Sequence, residues 1–364
     1  MYRSRNRKLS NPLLFPVVLL MGTVLGHSAS FIFARDLTRP PEIRLWYEGP
    51  YEFGHLGIPQ ERINIVGNVA SSAGIFRLRY RLNGGAPIPL HVGPDRRRLQ
   101  DPGDFNIAIP QADLRPGQNH VIITATDWLG RRSEKSLSIT YHPGKRWPLP
   151  YQTRWAEAAA IAGQAQVVDG LWEIRGGRLR TVQTGYDRVV AIGDMHAWAE
   201  YEVTVPVIIH RFTGPEENPG GVGIIARWKG HAGGGILPSR WTRLGAYAYY
   251  SHRLHALALR WNDEDPITAE KTLELGRAYF FKLRAEDAGS AGRYSFKVWP
   301  VNEPEPACWD LIYTDPSRYD LKTGSVLLVA NYAEVSFGDV LITPLDGGAN
   351  PRQHPPARLV VTPI

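Results

Sequence analysis

The chain has 364 residues, with 36 Gly, 29 Pro, 11 Trp and 16 Tyr, and a formal net charge of +7. That length is too great for one ordinary β-sandwich and suits two domains. Turn-formers and aromatics without a long helix-periodic stretch predict an all-β class. The single cysteine, Cys308, excludes an internal disulfide, so stability must come from apolar cores. Cys308 reads as a half-buried small residue beside Trp309, since no histidine is placed to make it a nucleophile.

Residues 1–34 carry Arg3, Arg5, Arg7 and Lys8, no acid, and then an apolar run from Leu13 to Leu25 followed by Gly26, Ser28, Ala29 and Ser30. This pattern predicts a secretory signal peptide. Phe31 to Ala34 lengthen the apolar stretch, so an uncleaved N-terminal anchor is the alternative. Either reading places the remainder outside the cytoplasm: secreted, periplasmic or at the cell surface. Removing the four bases leaves 38 basic residues against 35 acidic ones, about +3, dispersed along strands rather than massed. That dispersal argues against nucleic acid as a partner and leaves a membrane only through the N-terminal segment. The run Arg96 to Arg98 lies between Gly93-Pro94 and Asp101-Pro-Gly103 and reads as a solvated turn.

From Pro40 to Trp46 a first β domain opens and extends to residue 142, with strands at Arg62 to Asn68, Phe76 to Leu82, Phe105 to Ile109, His120 to Asp127 and Ser136 to Tyr141. Ile75 to Leu82 alternates apolar and basic residues, as a strand with one solvated face does, and Asn83-Gly-Gly85 supplies a turn. Residues 143–165 form a stiff Pro-rich and Ala-rich connector, in which Trp155 to Ala165 has room for one or two helical turns. A second domain, 166–346, is predicted to hold about a dozen strands. They include Trp172 to Arg175, Arg178 to Val182, Val189 to Ile192, Trp198 to Ile209, Gly221 to Trp228, Leu244 to Tyr250, His255 to Trp261, Tyr279 to Ala285, Ser325 to Ala330 and Val335 to Thr343. Residues 347–364 read as a loose Pro-rich tail.

The segment 109–130, with Arg115-Pro-Gly-Gln-Asn-His120 leading into Ala125-Thr-Asp-Trp-Leu-Gly130, resembles the end of a bacterial immunoglobulin-like domain. The stretch Lys297-Val-Trp299, then Glu305-Pro-Ala-Cys-Trp309, then Phe337-Gly-Asp-Val-Leu-Ile-Thr-Pro-Leu345 resembles concanavalin A-like lectin/glucanase domains, more narrowly laminin-G-like domains of bacterial secreted proteins. That resemblance covers roughly residues 155 to 345. Together they imply an immunoglobulin-like sandwich followed by a concanavalin A-like jelly-roll sandwich. The second fold hosts lectins, glycosidases and plain interaction modules alike.

Glu200 and Glu202 are two apart and share one face of a strand, the arrangement a retaining glycosidase needs at roughly 5 Å. Glucanases of the resembled fold carry a Glu-x-Asp-x-(x)-Glu strand, whereas Glu202 is followed by Val203-Thr-Val-Pro206, so the second carboxylate is missing. A sugar site needs flat aromatic surfaces with polar groups around them, and Trp228, Trp241, Tyr247, Tyr249, Tyr250, His252 and Trp261 are the available set. Tyr247 and Tyr249 share a face that Tyr250 does not. Arg227, Arg243 and Asn262 are their polar partners, and core packing is the competing role for the whole group.

Calcium is the one cofactor left open, since concanavalin A-like folds often hold it through oxygen ligands; Asp339 and the turn Asp263-Glu-Asp265 are the candidates. His252 and His255, read as strand residues, fall on opposite faces, and no His-x-x-x-His or Cys-x-x-Cys spacing exists. Gly233-Gly-Gly235 lacks the context of a phosphate loop. The reading is an exported, non-catalytic protein binding carbohydrate or a cell-surface polymer, or acting in adhesion. A glycoside hydrolase or lyase of this fold and a ligand-free structural envelope protein are the alternatives.

Overall fold

The structure is a computed structural model, described here for residues 38–95, 97–230, 245–261, 265–315 and 322–345. The predicted signal segment, the tail 347–364, Arg96, Trp241, Arg243, Asn262, Asp263 and the loop at Gly233 lie outside the described residues. Contacts divide the chain into Met1–Arg39 and Pro40–Ile364, and the second of these units is the fold treated below.

The class is all-β, with three single-turn 3-10 helices among 24 strands in the described residues. The first part holds β1 (Glu42–Leu45), β2 (Tyr51–Phe53), β3 (Arg62–Ala70), β4 (Ile75–Leu82), β5 (Ile88–Leu90), β6 (Asp104–Pro110), β7 (Gly117–Asp127) and β8 (Arg132–Tyr141). β9 (Tyr151–Gln152), β10 (Gln166–Asp169), β11 (Trp172–Arg175), β12 (Arg178–Thr181), β13 (Asp187–Ile192), β14 (Tyr201–Phe212), β15 (Gly221–Trp228), β16 (Ala246–Ser251) and β17 (Ala256–Trp261) follow. The last are β18 (Ile267–Glu270), β19 (Ala278–Ala288), β20 (Ala291–Pro300), β21 (Leu311–Asp315), β22 (Ser325–Asn331), β23 (Ala333–Phe337) and β24 (Leu341–Pro344).

The first eight strands pair into a three-stranded sheet, β1-β3-β6, and a five-stranded sheet, β2-β8-β7-β4-β5, in which β2 runs parallel to β8. Their inward residues, among them Ile65, Leu78, Phe105, Ile107, Val121 and Ile139, form one core. Alternation explains the arrangement: in β4, Leu78 and Tyr80 point inward while Arg77, Arg79 and Arg81 point away.

The remaining strands form a seven-stranded sheet, β10-β13-β22-β15-β16-β17-β18, and a nine-stranded one, β11-β12-β23-β14-β19-β20-β21 with β24 and β9. Val190, Ile192, Val222, Ile224, Leu257, Leu259, Val326 and Leu328 of the smaller sheet share a core with Val203, Val205, Phe281, Leu283, Phe296 and Phe337 of the larger. The seven-stranded sheet is also buried on its other side, where Val168, Val189, Ala191, Ile225, Trp228, Tyr247, Leu327 and Val329 cluster. This is why β15 shows no apolar/polar alternation: every residue of it is buried, Arg227 included.

The two parts are locked by polar contacts and shared core residues. Arg98 Nε donates to Asp169 Oδ1 at 2.5 Å, and Asn106 Nδ2 donates to the same oxygen at 2.8 Å. Gln183 Nε2 reaches Asp104 Oδ2 at 2.8 Å, and Ser325 Oγ donates to the Pro59 carbonyl at 2.6 Å. Met195 enters the first core and Trp147 the second.

Several local expectations change. Val335 to Thr343 is not one strand: β23 and β24 are separated at Gly338, which abuts the Pro206 ring, and at Asp339, whose carboxylate caps Trp155. His252 and His255 are not on opposite strand faces. They sit in the turn between β16 and β17, which brings their rings to 5.4 Å. Cys308 is exposed rather than half-buried, because the loop 301–310 runs over the surface of the larger sheet. Trp155 to Ala165 makes two 3-10 turns, Trp155–Glu157 and Ile161–Gly163.

Candidate functional site

Glu200, Glu202, Trp228, Tyr247, Tyr249, Tyr250, Trp261 and Asp339, singled out from the sequence, are each engaged within the fold. Glu200 accepts from the Asp287 N–H at 2.9 Å. Glu202 is held by Arg284 at 2.5 Å and Lys282 at 3.1 Å, so its oxygens are committed to cations. Trp228, Tyr247 and the half-buried Tyr249 lie on the outer side of the seven-stranded sheet. The two tyrosine rings stack at 4.3 Å, with the Arg260 guanidinium 5.7 Å from Tyr247 and 5.9 Å from Tyr249. Trp261 lies on the opposite, inter-sheet side and stacks on Tyr294 at 5.3 Å. Tyr250 belongs to that inter-sheet core as well. Arg227 is 1% exposed, donates to Asp287 Oδ1 at 2.7 Å and to the Ala199 carbonyl at 3.0 Å, and holds a left-handed backbone with φ of 53°. Trp228, Tyr247 and Trp261 are at most 5% exposed, too little to offer a ring face to a ligand in this conformation.

Asp339 Oδ1 accepts from the Trp155 N–H at 2.8 Å, and burial raises its carboxyl pKa. Among the described residues no group of three His, Cys, Asp or Glu is placed to hold a metal, and Asp339 alone does not fit calcium, which takes six to eight oxygens.

A cleft lies elsewhere on the described surface. It has a volume of about 580 Å³, within the size of small-ligand sites. Its walls are the loop from Trp46 through Gly57, β3 at Asn64, and Trp147, Ala158 to Ala162, Gln166, Trp172 and Glu173. The first sandwich therefore supplies one side and the opening segments of the second supply the other. Trp46, Tyr47 and Tyr51 are half-buried, so each offers ring surface to the cleft.

The hydroxyl of Tyr47 accepts from the Trp172 N–H at 2.7 Å and donates to the Trp172 carbonyl at 3.1 Å. Tyr51 donates to the Tyr47 carbonyl. Burial raises both phenols, Tyr51 to about 12 with the charge of Glu48 adding to it, so both are hydrogen-bonding groups and not bases at neutral pH. The His55 pKa is pushed down by burial, against the pull of Glu52. Gln166 donates to the Arg62 carbonyl at 2.9 Å while its Oε1 is buried with no hydrogen-bond partner among the described residues. Among the described residues Glu48, which is exposed, makes no ion pair and no Lys or Arg lines the cleft.

Sequence reasoning passed over Trp46, Tyr51 and Glu48. The usable signal was the density of aromatic and acidic residues in Trp46-Tyr-Glu-Gly-Pro-Tyr-Glu-Phe-Gly-His55, within and around a loop whose Gly and Pro break the strand alternation that would bury them.

The molecule is thus an all-β protein of packed sandwiches with an aromatic, acid-edged cleft between them. No protein-family model matches the chain, and no curated protein does either. Among solved structures it is similar to the exoplasmic/lumenal domain of VIP36 in its Ca2+/Man3GlcNAc-bound form, at 9% identity and a TM-score of 0.35, over 53% of this chain and 88% of that one. It is also similar to a legume lectin-like domain from Entamoeba histolytica, at 8% identity and 0.35, over 51% and 92%. For peanut lectin the values are 10% and 0.35, over 54% and 97%. At such scores these likenesses say nothing of ligand, and the sandwich architecture rests on the strand pairing itself.

Proposed function

We propose that the protein is an exported, non-catalytic carbohydrate-binding protein of the cell envelope or of adhesion, and that the glycan sits in the cleft between the sandwiches. The observation that carries the reading is the wall of Trp46, Tyr47 and Tyr51 facing amide and carboxylate groups in a cavity of about 580 Å³. Sugars present C–H faces to aromatic rings and hydroxyls to polar side chains, and the cleft offers both. In this reading the first part, 40–142, is an immunoglobulin-like unit that serves as spacer and as one wall. Residues 143–165 connect it to a concanavalin A-like domain at 166–346. A non-catalytic role is supported by the engagement of Glu202 with Arg284 and Lys282.

The test is a glycan array on the full chain, with and without calcium, followed by a released-sugar assay on each hit. Binding without turnover that falls about tenfold in Trp46→Ala is expected, the size of one aromatic stacking contact. Turnover would make the protein a glycosidase or lyase, and silence on all glycans would abandon the reading.

A further inference from the structure

At the far end of the β7–β8 hairpin, Trp128 is 68% exposed and Leu129 61%, and Phe76 beside them is 48% exposed. Phe76 and Trp128 meet edge to face at 4.8 Å, and Leu129 follows Trp128 at the same exposed hairpin end. The backbone under it is fixed. Asp127 Oδ1 accepts from the N–H groups of Leu129 and Arg131, each at 3.0 Å, and Oδ2 accepts from Arg131 Nε at 2.8 Å and Ser71 Oγ at 3.2 Å. Trp128 lies over Gly74, where an added Cβ would come within 3.2 Å of the indole. A tip of Trp, Leu and Phe held this firmly in water leaves apolar area uncovered at little ordering cost when it docks.

Its surroundings are basic. The Arg77 guanidinium lies 5.2 Å from the Phe76 ring, and Arg79 and Arg81 follow on the same outward side of β4. None of the three makes an ion pair among the described residues; Glu134, across β7 on β8, is paired with Arg132 and also feels the charge of Arg81. The chain also enters the fold here: the Pro41 carbonyl accepts from Ser133 Oγ, next to the hairpin end. The sequence before Pro40 holds the apolar run Leu13 to Leu25.

We infer that the Phe76/Trp128/Leu129 tip with Arg77 and Arg79 is a docking surface for an anionic lipid bilayer, distinct from the cleft. A soluble polyanion would use the arginines and leave the exposed indole and leucine unused; an anionic bilayer uses both, the apolar residues at the acyl boundary and the arginines at the headgroups. Strand rise puts Arg79 about 7 Å and Arg81 about 13 Å behind Arg77. With a screening length of about 8 Å, Arg77 contributes most and Arg81 least.

The experiment uses the full chain carrying Cys308→Ser, with an environment-sensitive dye on Leu129→Cys or, as a control, on Ser138→Cys. Vesicles are phosphatidylcholine with or without phosphatidylglycerol. The dye at position 129 is expected to shift to the blue on the anionic vesicles while the dye at 138 does not, which separates docking of the tip from attachment through the N-terminal segment. Arg77→Gln should weaken vesicle affinity about fivefold, Arg79→Gln less and Arg81→Gln least. Phe76→Ser with Trp128→Ser, both exposed and harmless to the core, should abolish the shift. No shift at 129, an equal shift at 138, an equal shift on neutral vesicles, or an equal shift with heparin would each overturn the inference, the last in favour of a soluble polyanion.

Discussion

The hydroxyl of Tyr47 both accepts from and donates to the backbone of Trp172, 125 residues away, and so fastens the two sides of the cleft together. Tyr47→Phe keeps the ring and removes both bonds, leaving the Trp172 N–H and carbonyl without this partner. The expected cost is about 1–3 kcal/mol of stability, read by denaturant unfolding, with weaker glycan binding in the same variant. Unchanged binding with lowered stability would mean that the clamp supports the fold and not the cleft.

Gly57 fixes the opposite end of the same loop. Its φ is +136°, and a Cβ there would come 2.5 Å from the Trp147 backbone nitrogen and 2.9 Å from the Trp147 Cβ. Gly57→Ala must therefore move Trp147, which lines the cleft and is buried in the second core. A loss of about 1–3 kcal/mol is expected, with cleft binding weakened beyond what Trp46→Ala alone produces. Thermal unfolding and glycan titration of the variant check it.

How far these elements were legible in the sequence follows from what each depends on. β11 and β15 fall at their expected bounds, and β4 begins one residue early, because alternation or a largely apolar run marks them locally. β15 also carried a warning. A run with no polar alternation belongs to a sheet covered on both sides, and that is why Trp228 and Tyr247 are packed inside rather than displayed. The break at Gly338 depends on the Pro206 ring of another strand, and the meeting of His252 with His255 on a turn boundary, neither of which has a local period. The cleft was hidden for the same reason: Trp46 and Tyr51 acquire their role only when Trp147, Gln166 and Trp172, at least 96 residues onward, close over them.

The Arg98–Asp169 pair ties the first sandwich to the second with side chains 11% and 2% exposed. Asp169→Ala leaves the Arg98 guanidinium without its carboxylate and Asn106 without one acceptor, and is expected to cost about 3–5 kcal/mol. Replacing both partners with apolar residues of similar volume, Arg98→Met with Asp169→Leu, should cost less than the single change, since Arg98 then carries no uncompensated charge, while the buried Arg188 loses the attraction of Asp169 in both variants. Urea unfolding of the three proteins decides it. A double variant worse than the single would mean that the pair contributes more by its attraction than its desolvation takes away.

Acid should weaken the larger sheet in two separate steps. Glu334 of β23 takes hydrogen bonds from Arg211, at 2.6 Å, and from Arg180, and these hold its carboxyl down from 4.5 to about 2. A depressed carboxyl pKa stabilises the fold above the unfolded value, so this contribution is present above about pH 4.5 and disappears as pH falls towards 2. His210, whose Nε2 lies 2.9 Å from Ser336 Oγ, is pushed below 6.5 by burial and then by the nearby Arg180. The unfolded chain takes up this proton first, so stability also falls as pH drops below 6.5 towards the folded value. Stability measured against pH should therefore decline in two windows, and Glu334→Gln should shrink the lower one while His210→Gln shrinks the upper, to which the lowered His55 and His252 also contribute. A lower window that survives Glu334→Gln unchanged would place the acid sensitivity on other carboxylates.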